Sequence, residues 1–314
     1  MWHYGDSEPD QIRSSPTGTT AFEESSSVSP EDRKLREFTL QRKRLLRLGY
    51  RMLGSITEAE DVLQDAWLRW SHANEDIQTP TAYLTRIVTR LCLDRMKSAR
   101  ARRELYVGPW LPEPLIECAD TYDIVSDDVT VTLMLALERL SPLERAAFLL
   151  HDVFDMALTE VAVVLEREPT AVRQLASRAR RNVRNARPRY NIGKAEADEI
   201  VRAFFAASRD GDVAALSELL TRDVEIHTDG GGKVRALRAV IYGLERALRL
   251  FVSARKKAVL LPTFLRTVTI DGLKGFVGLD SNGVLQTTAL DIRDGRISAI
   301  FIVKNPDKLT RVKI

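Results

Sequence analysis

The stretch from Glu168 to Tyr190 combines an apolar helical stripe with a face of arginine and glutamine side chains. Apolar residues recur at the three- and four-residue spacing of one helix face, at Val172, Leu175, Ala176, Ala179 and Val183. Arginine and glutamine on the opposite face bind phosphates and read the edges of guanine and adenine in a major groove. The side chains that we predict to contact DNA are Thr170, Arg173, Gln174, Ser177, Arg178 and Arg181.

The segment before this basic helix completes a DNA-binding motif. Thr159 to Arg167 has the apolar spacing of a short helix, and a turn at Glu166 to Glu168 joins it to Pro169, which suits the first helical position. Two short helices joined by a tight turn, the second of them basic, are typical of a helix-turn-helix. A basic face that only meets solvent is the alternative interpretation.

A second cluster of cations lies on a long helix predicted from about Thr81 to Arg103. A basic last turn complements the helix dipole, but these cations far outnumber Asp94 and Glu104, the acids beside them. We therefore predict a second nucleic-acid surface, formed by Arg86, Arg90, Arg95, Lys97, Arg100, Arg102 and Arg103.

The helix predicted before it, Glu58 to Trp70, opens at a capping box that starts with Thr57. Its apolar side carries Val62, Ala66 and Trp67, and on its other side Asp61, Gln64 and Asp65 form an acidic and amide patch.

Length and composition indicate a globular chain of two or three domains. The sequence has 314 residues, of which 44% are hydrophobic and 29% charged, and its net charge is +3. No apolar run reaches the length of a membrane span, and the first residues lack the pattern of a secretory signal. We expect a cytoplasmic protein. The cysteines Cys92 and Cys118 and the four histidines have no metal-ligand spacing, so we expect no metal and no cofactor.

Composition shifts divide the chain into five parts. We predict a disordered tail (1–28), a helical domain (29–104), a proline-rich linker (105–128), a second helical domain with the helix-turn-helix (129–190) and a last domain (195–314). The last domain starts with two helical patterns, and a third is predicted from Ala236 to Ala254. Runs rich in Val, Ile, Thr and Phe follow, divided by the hairpin signals Asp271-Gly272, Asn282-Gly283 and Asp294-Gly295. Helices on one face of a curved antiparallel sheet predict an α+β cone with a pocket.

The two helical blocks resemble the σ2 and σ4 domains of extracytoplasmic-function sigma factors, the RNA polymerase subunits that select promoters. The run from Asp61 to Trp67 looks like the segment that binds the clamp of the polymerase β′ subunit. The helix with Arg86 to Arg103 looks like the segments that open and read the −10 element. Residues 159 to 184 are similar to the region that reads the −35 element.

Three short motifs narrow the resemblance to a group, including the sigma-J type, that carries a SnoaL-like (NTF2-like) domain behind σ4. The first is Trp110, Leu111, Pro112, Glu113 and Pro114. The second is Asp229, Gly230, Gly231, Gly232 and Lys233. The third is Asn305, Pro306, Asp307, Lys308 and Leu309.

The resemblance implies a multidomain fold, two all-α domains followed by an α+β cone, and an alternative sigma factor. Its partners would be the β and β′ subunits of core RNA polymerase and promoter DNA, with no membrane. It implies that the last domain regulates activity. We expect the glycine motif to form a turn with Asp229 and Lys233 at its rim, and the linker and this loop to meet. The tail from Lys308 is expected to dock on σ2 or on the polymerase.

Two other functions are compatible with the sequence. SnoaL relatives include isomerases and cyclases that place a carboxylate base in an apolar cavity, and His227, Asp229 and Asp291 are the candidates here. Such an enzyme could be tethered to a DNA-binding module, or the chain could be a stand-alone DNA-binding regulator. The residues form no acid–base constellation and a fold does not imply catalysis, so we expect no enzyme. The cone also has room for a small ligand.

Overall fold

The computed structural model describes residues 29–73, 77–104, 106–117, 130–184, 193–257, 263–280 and 282–313. The predicted tail (1–28), residues 105 and 118–128 of the predicted linker, and residues 129 and 185–190 of the second predicted helical domain lie outside these ranges. Within them, no helix combines the length and the apolar character that crossing a membrane requires.

The first block contains three helices: α1 (Pro30–Leu53), α2 (Ile56–Ser71) and α3 (Pro80–Glu104). The Ser29 side chain accepts a hydrogen bond from the Asp32 amide and so caps α1, as the sequence predicts. The predicted start of α2 is wrong, because Ser55 caps this helix through the Glu58 amide and Thr57 lies inside it. Gly54, with φ of 73°, ends α1 in the left-handed conformation that allows the sharp turn into α2.

The second block contains α4 (Val131–Glu138), α5 (Pro142–Phe148), a π-turn (Leu149–Val153), α6 (Leu158–Leu165) and α7 (Pro169–Val183). Ser141 and Glu144 form the capping box predicted for α5. In the turn between α6 and α7, Glu166 takes the left-handed conformation (φ of 53°) usually given to glycine. Both helical blocks share one apolar core, so they pack against each other directly.

The last domain contains α8 (Lys194–Asp210), α9 (Val213–Leu219) and α10 (Leu244–Lys257) with the strands β1 (Leu220–Asp229), β2 (Ile241–Tyr242), β3 (Thr263–Ile270), β4 (Leu273–Leu279), β5 (Leu285–Arg293) and β6 (Arg296–Val303). The sheet order is β2-β1-β6-β5-β4-β3, and only the β1/β6 pair is parallel. The helix predicted from Ala236 begins only at Leu244, because Ile241 and Tyr242 pair with β1. This architecture confirms the predicted α+β cone.

The two faces of this sheet have different neighbours. One face packs on the helices, where Val224 and Ile300 share a core with Phe204 and Phe251. The other face packs on the rest of the chain: Phe301 shares a core with Leu111 of the linker and with residues of α4. One face of the sheet therefore forms the interior of the last domain, and the other face forms its contact with the linker and α4.

Candidate nucleic-acid and interdomain interfaces

Helix α7 presents its polar face to solvent. The apolar stripe is buried, with Val172 and Ala179 0% exposed, which confirms the predicted packing face. All the side chains predicted to contact a −35 element are exposed: Thr170, Arg173, Gln174, Ser177, Arg178 and Arg181. A helix held by its apolar stripe with its arginines projecting outward has the form needed to enter a major groove.

The cations of α3 are divided among different contacts. Arg86 and Arg90 both pair with Glu166, which lies in the turn of the helix-turn-helix. Arg95 faces α2, and Lys97 pairs with Asp94 on its own helix at 2.9 Å. The backbone of Arg100, Arg102 and Arg103 continues α3, and their side chains lie outside the described part. Part of the predicted −10 surface therefore contacts the helix-turn-helix that is predicted to bind the −35 element.

The predicted polymerase-binding patch lies on the exposed side of α2. Asp61 and Gln64 are exposed, and Asp65 is partly so. Arg95 of α3 bridges the carboxylates of Asp61 and Asp65 at 3.3 and 3.1 Å. Trp67 is half-buried and packs against Phe38 in a tilted arrangement, with ring centroids 5.2 Å apart. The patch is thus backed by the core and held by one cation of the next helix.

The three short motifs meet at the carboxylate of Asp229, which is 1% exposed. The expectation that Asp229 lies at a turn rim is therefore wrong, because the linker covers it. The linker donates to it through the Tyr106 hydroxyl (2.6 Å) and the Leu111 amide (2.9 Å). The third motif contributes the Lys308 ammonium, 2.7 Å from Asp229 Oδ2 and 2.5 Å from the Leu111 carbonyl. We call Tyr106, Leu111, Asp229, Asn305 and Lys308 the Asp229 lock.

Neighbouring contacts complete the Asp229 lock. The Asn305 amide side chain donates to the Tyr106 hydroxyl (2.9 Å), and the Lys308 ammonium lies 4.3 Å from the centre of the Trp110 ring. Gly231 has φ of 63°, and a Cβ there would come within 2.3 Å of the Asn305 side chain. At the surface, Lys233 pairs with Asp307 at 2.6 Å. Gly231 is thus required both by its backbone conformation and by the lack of space for a side chain.

The linker also attaches to the first helical block. Glu113, 3% exposed, accepts hydrogen bonds through Oε2 from the Ser55 hydroxyl (3.0 Å) and the Ile56 amide (2.9 Å). A carboxylate at this position satisfies an amide of the first turn of α2 and complements the helix dipole. The Trp110 ring closes on Gly54, where a Cβ would come within 2.4 Å of it. Pro112 and Pro114 are buried beside Glu113.

A second buried carboxylate joins the last domain to α1. Asp271 lies in the β3–β4 turn and is 2% exposed. Its Oδ1 lies 2.8 Å from the Tyr50 hydroxyl, and its Oδ2 accepts from the Leu115 amide at 3.2 Å. Burial raises the pKa of Asp271 to about 7, assisted by the nearby Glu113 and opposed by these hydrogen bonds.

The last domain reaches both helical blocks through further contacts. Arg311 in the tail pairs with Glu60 of α2 and lies 3.8 Å from Glu113, so the tail contacts σ2, the first of its two expected partners. Thr132 of α4 donates to Asp291 of β5 at 3.0 Å. The last domain therefore holds contacts with σ2 and σ4 at the same time.

The candidate acid–base residues lie on the sheet face that contacts the linker and α4. His227 stacks on Phe301 with centroids 5.2 Å apart, and burial lowers the pKa of His227 although Glu225 opposes this shift. Asp291 pairs with Arg293 and Asp229 belongs to the lock. On the other face, between β-sheet and helices, a cavity of about 360 Å³ is lined by other residues.

Sequence reasoning missed several residues of these interfaces. The sequence places Tyr106 in a linker and Asp271 in a hairpin turn, and it gives Glu166 no role beyond the turn between two helices. Arg145 is 1% exposed and donates to the carbonyls of Met52 (2.6 Å) and Leu137 (3.0 Å), which ties α5 to α1. Nothing in the sequence around Arg145 indicates that this arginine is buried, because charged residues usually lie on the helix surface.

Comparisons with known proteins agree with this architecture. Residues 38–102 match the family Sigma-70 region 2, and residues 130–183 match Sigma-70, region 4. The ECF RNA polymerase sigma factor SigJ of Mycobacterium tuberculosis is 36% identical over 289 residues, which cover 87% of this chain and 92% of that relative. The chain belongs to the extracytoplasmic-function (ECF) RNA polymerase sigma factors.

Other relatives support this membership. The probable ECF RNA polymerase sigma factor SigI of Mycobacterium tuberculosis is 32% identical over 276 residues, 84% of this sigma factor and 91% of the relative. A crystal structure of SigJ covers 88% of this chain and 98% of its own, with a TM-score of 0.69 and 32% identity. The protein is thus an alternative sigma factor that directs transcription through a DNA-binding helix-turn-helix, and its last domain is the α+β cone for which the three motifs predict a SnoaL-like fold. Membership of this family excludes the alternative of a stand-alone DNA-binding regulator.

Proposed function

We propose that the SnoaL-like domain regulates this sigma factor by holding σ2 and σ4 in a closed arrangement. The observation that carries this proposal is the Asp229 lock, in which one buried carboxylate binds the linker and the third motif together. A buried charge that loses its partner is strongly destabilising, so the lock favours one position of the linker. Through Glu113 and Trp110, that linker is attached to α1 and α2.

The closed arrangement limits the predicted −10 surface. Glu166 of σ4 pairs with Arg86 and Arg90 of σ2, two of the cations that would otherwise meet the melted strand. The same hydrogen bonds lower the pKa of Glu166, which stays ionised at neutral pH. Opening would separate Glu166 from α3 and release both arginines. In this proposal α7 reads the −35 element through Arg173 and Gln174, and opening precedes full promoter binding.

Core polymerase would bind at the patch of Asp61, Gln64, Asp65 and Trp67. Its exposure on α2 supports this proposal, and the resemblance implies that the partner is the clamp of the β′ subunit. Arg95 connects this patch to α3, so binding of the polymerase to the patch would also affect α3, which carries the predicted −10 surface. Because the partners are RNA polymerase and promoter DNA, we place the protein in the cytoplasm.

We propose that the SnoaL-like domain is not an enzyme. An isomerase or cyclase of this fold needs a general base within reach of a ligand in the cone. Among the described residues, no Asp, Glu or His lines the cavity. Asp229 contacts the linker, Asp291 contacts α4, and His227 packs on Phe301 of the same outer sheet face. Regulation is therefore the better supported role of the domain.

Run-off transcription with purified core polymerase tests these proposals. We compare the full chain with Asp229→Ala, with a chain that ends at Tyr190, and with Glu166→Gln. Glu166→Gln removes the charge that holds Arg86 and Arg90, so the yield should rise. Asp229→Ala should also raise the yield by releasing the linker.

The matched control is Glu168→Gln, in the same turn. Glu168 is exposed and makes no capping hydrogen bond with its side chain, so this change should leave transcription unaltered. Equal yields from the full chain, Asp229→Ala and the shortened chain would overturn the regulatory role. No promoter-dependent product from any of them, nor from a chain ending at Lys304, would overturn the assigned polymerase and promoter contacts.

A further inference from the structure

The SnoaL-like domain contains a cavity that no step of promoter recognition uses. It has a volume of about 360 Å³ and lies between α8, α10 and the inner face of the sheet. Its walls are mainly apolar, with Phe204, Leu250, Phe251, Phe276 and Ile302 among the lining residues. Ligand pockets of small molecules have volumes of roughly 300–1,000 Å³ and the same mixture of apolar walls with few polar groups.

The charges that line this cavity have one sign. Arg235 and Arg238 lie on its exposed side, and Lys304 lies inside with 3% exposure. No carboxylate of the described residues lines the cavity. A pocket with apolar walls and cations only is complementary to a molecule that has an apolar body and an anionic group.

Lys304 is held in place by a carboxylate outside the lining. Its ammonium lies 3.1 Å from Asp280 Oδ2, and both side chains are 4% exposed. Asp280 is fixed in turn by the amides of Asn282 and Val284, each at 2.9 Å from Oδ1. An ammonium has three hydrogen-bond donors, and this pair uses one of them. The others are available to an anion in the cavity without loss of the Asp280 pair.

The cavity and the Asp229 lock share the ends of two strands. Thr228 lines the cavity and precedes Asp229; Lys304 lines the cavity and precedes Asn305. The amides of Lys304 and Asn305 both donate to the Asp229 carbonyl, at 2.7 and 3.0 Å. The Leu237 amide donates to the Thr228 hydroxyl at 2.7 Å, which joins the loop after the glycine motif to the cavity wall. Thr228 and Lys304 thus connect the cavity wall directly to residues of the lock.

We propose that this cavity binds an amphipathic organic anion, an apolar acyl or aryl body with a carboxylate, and that binding changes the stability of the Asp229 lock. The carboxylate meets Lys304 and Arg238, and the apolar body lies against Phe204, Phe251 and Phe276. This proposal rests on the regulatory role proposed above for the domain, but its test requires neither polymerase nor promoter.

Isothermal titration calorimetry on the full chain measures the binding, with decanoate as the probe. Decanol has the same chain without the charge, and decylamine carries the opposite charge at neutral pH. Decanoate should bind at one site, at least about tenfold more tightly than decanol, because a hydrogen bond to a charged group is stronger than one to a neutral group. Decylamine should not bind.

Variants of the chain test the location. Arg238→Gln should weaken decanoate about tenfold and leave decanol unchanged. The matched control Arg249→Gln removes a cation from α10 that pairs with Glu245 and does not line the cavity, so it should have no effect. Ala254→Phe, which fills the cavity from α10, should abolish binding of both probes while thermal unfolding shows that the domain still folds.

Hydrogen exchange with and without decanoate tests the connection to the lock. Amides at Asp229–Lys233 and at 305–309 should change their exchange rates when the ligand binds, and amides of α7 far from the cavity should not. Equal affinities for decanoate, decanol and decylamine, no saturable binding, or an equal loss in Arg238→Gln and Arg249→Gln would overturn the proposed site. Binding with unchanged exchange at the lock would overturn the connection.

Discussion

Replacing Asp271 by Asn should remove a pH-dependent loss of stability from the contact between α1 and the last domain. The Tyr50 hydroxyl lies 2.9 Å from the Glu113 carbonyl oxygen and 2.8 Å from Asp271 Oδ1. One hydroxyl proton cannot serve both acceptors, so an ionised Asp271 leaves one of them unpaired. A protonated Asp271 donates to Tyr50 and lets Tyr50 donate to the carbonyl. Asn offers the same pattern at every pH, and it tolerates the positive φ of 43° at this position.

The size of the effect follows from the raised pKa. Burial raises the pKa of Asp271 from 3.8 to about 7, so the folded chain binds a proton that the unfolded chain has already released. Stability therefore falls as the pH rises from the unfolded value to the folded one, and the loss is complete just above pH 7. Between pH 5 and pH 8 this amounts to about 2–3 kcal/mol. The Asn variant should not show this fall, so its advantage over the native chain grows with pH.

Differential scanning calorimetry at four pH values between 5 and 8 measures this difference. The melting temperature of the Asn variant should exceed the native value by several degrees at pH 8 and by much less at pH 5, at about 2–4 °C per kcal/mol. Glu113, whose pKa is also raised by burial, titrates in both chains and largely cancels. The control Asp294→Asn, in an exposed Asp-Gly turn with φ of 49°, should have no pH-dependent effect. Parallel melting curves for Asp271→Asn and native chain, or an Asp271 carboxyl pKa near 4 by NMR, would refute the reasoning.

Three further predictions concern the Asp229 lock and the basic helix. Lys308→Met leaves the buried Asp229 without its ammonium partner and should lower the free energy of unfolding, measured in urea titrations, by about 3 kcal/mol. Lys233→Met breaks the exposed pair with Asp307 and should lower it by less than about 1 kcal/mol. Equal losses would contradict the difference in burial between the two pairs. An alanine at position 231 would be strained by the positive φ and would clash with the Asn305 side chain, whereas Gly283 has φ of 75° but open space around it. The melting temperature of Gly231→Ala should therefore fall further than that of Gly283→Ala. Equal losses would mean that backbone strain is the whole effect. Arg173→Ala with Gln174→Ala should change the preferred −35 sequence in a binding selection, whereas Arg100→Ala with Arg102→Ala should weaken binding to all promoters alike, and uniform losses from both pairs would contradict this division.

Local patterns were sufficient to predict most of the helices and hairpins. Ser29 and Ser141 cap their helices because a side-chain oxygen within three residues can satisfy an amide of the first turn, and such signals are complete in the sequence. The stripe of α7 was predictable for the same reason, since Val172 and Ala179 repeat at the helical period. The strand β2 was not, because two residues become a strand only through pairing with β1.

The functional contacts depend on residues far apart in the chain. The spacing of its neighbours indicates that Asp229 begins a glycine turn, but its burial follows from Tyr106, Leu111 and Lys308, which reach it from up to 123 residues away. The same holds for Glu166, an unremarkable turn residue until the packing of two helical blocks brings Arg86 and Arg90 to it. Charge and residue type are local properties, whereas desolvation and the choice of partner are properties of the packed chain. The basic helix could thus be recognised as a DNA reader from its residues, while the contacts that hold it beside σ2 exist only in the folded molecule.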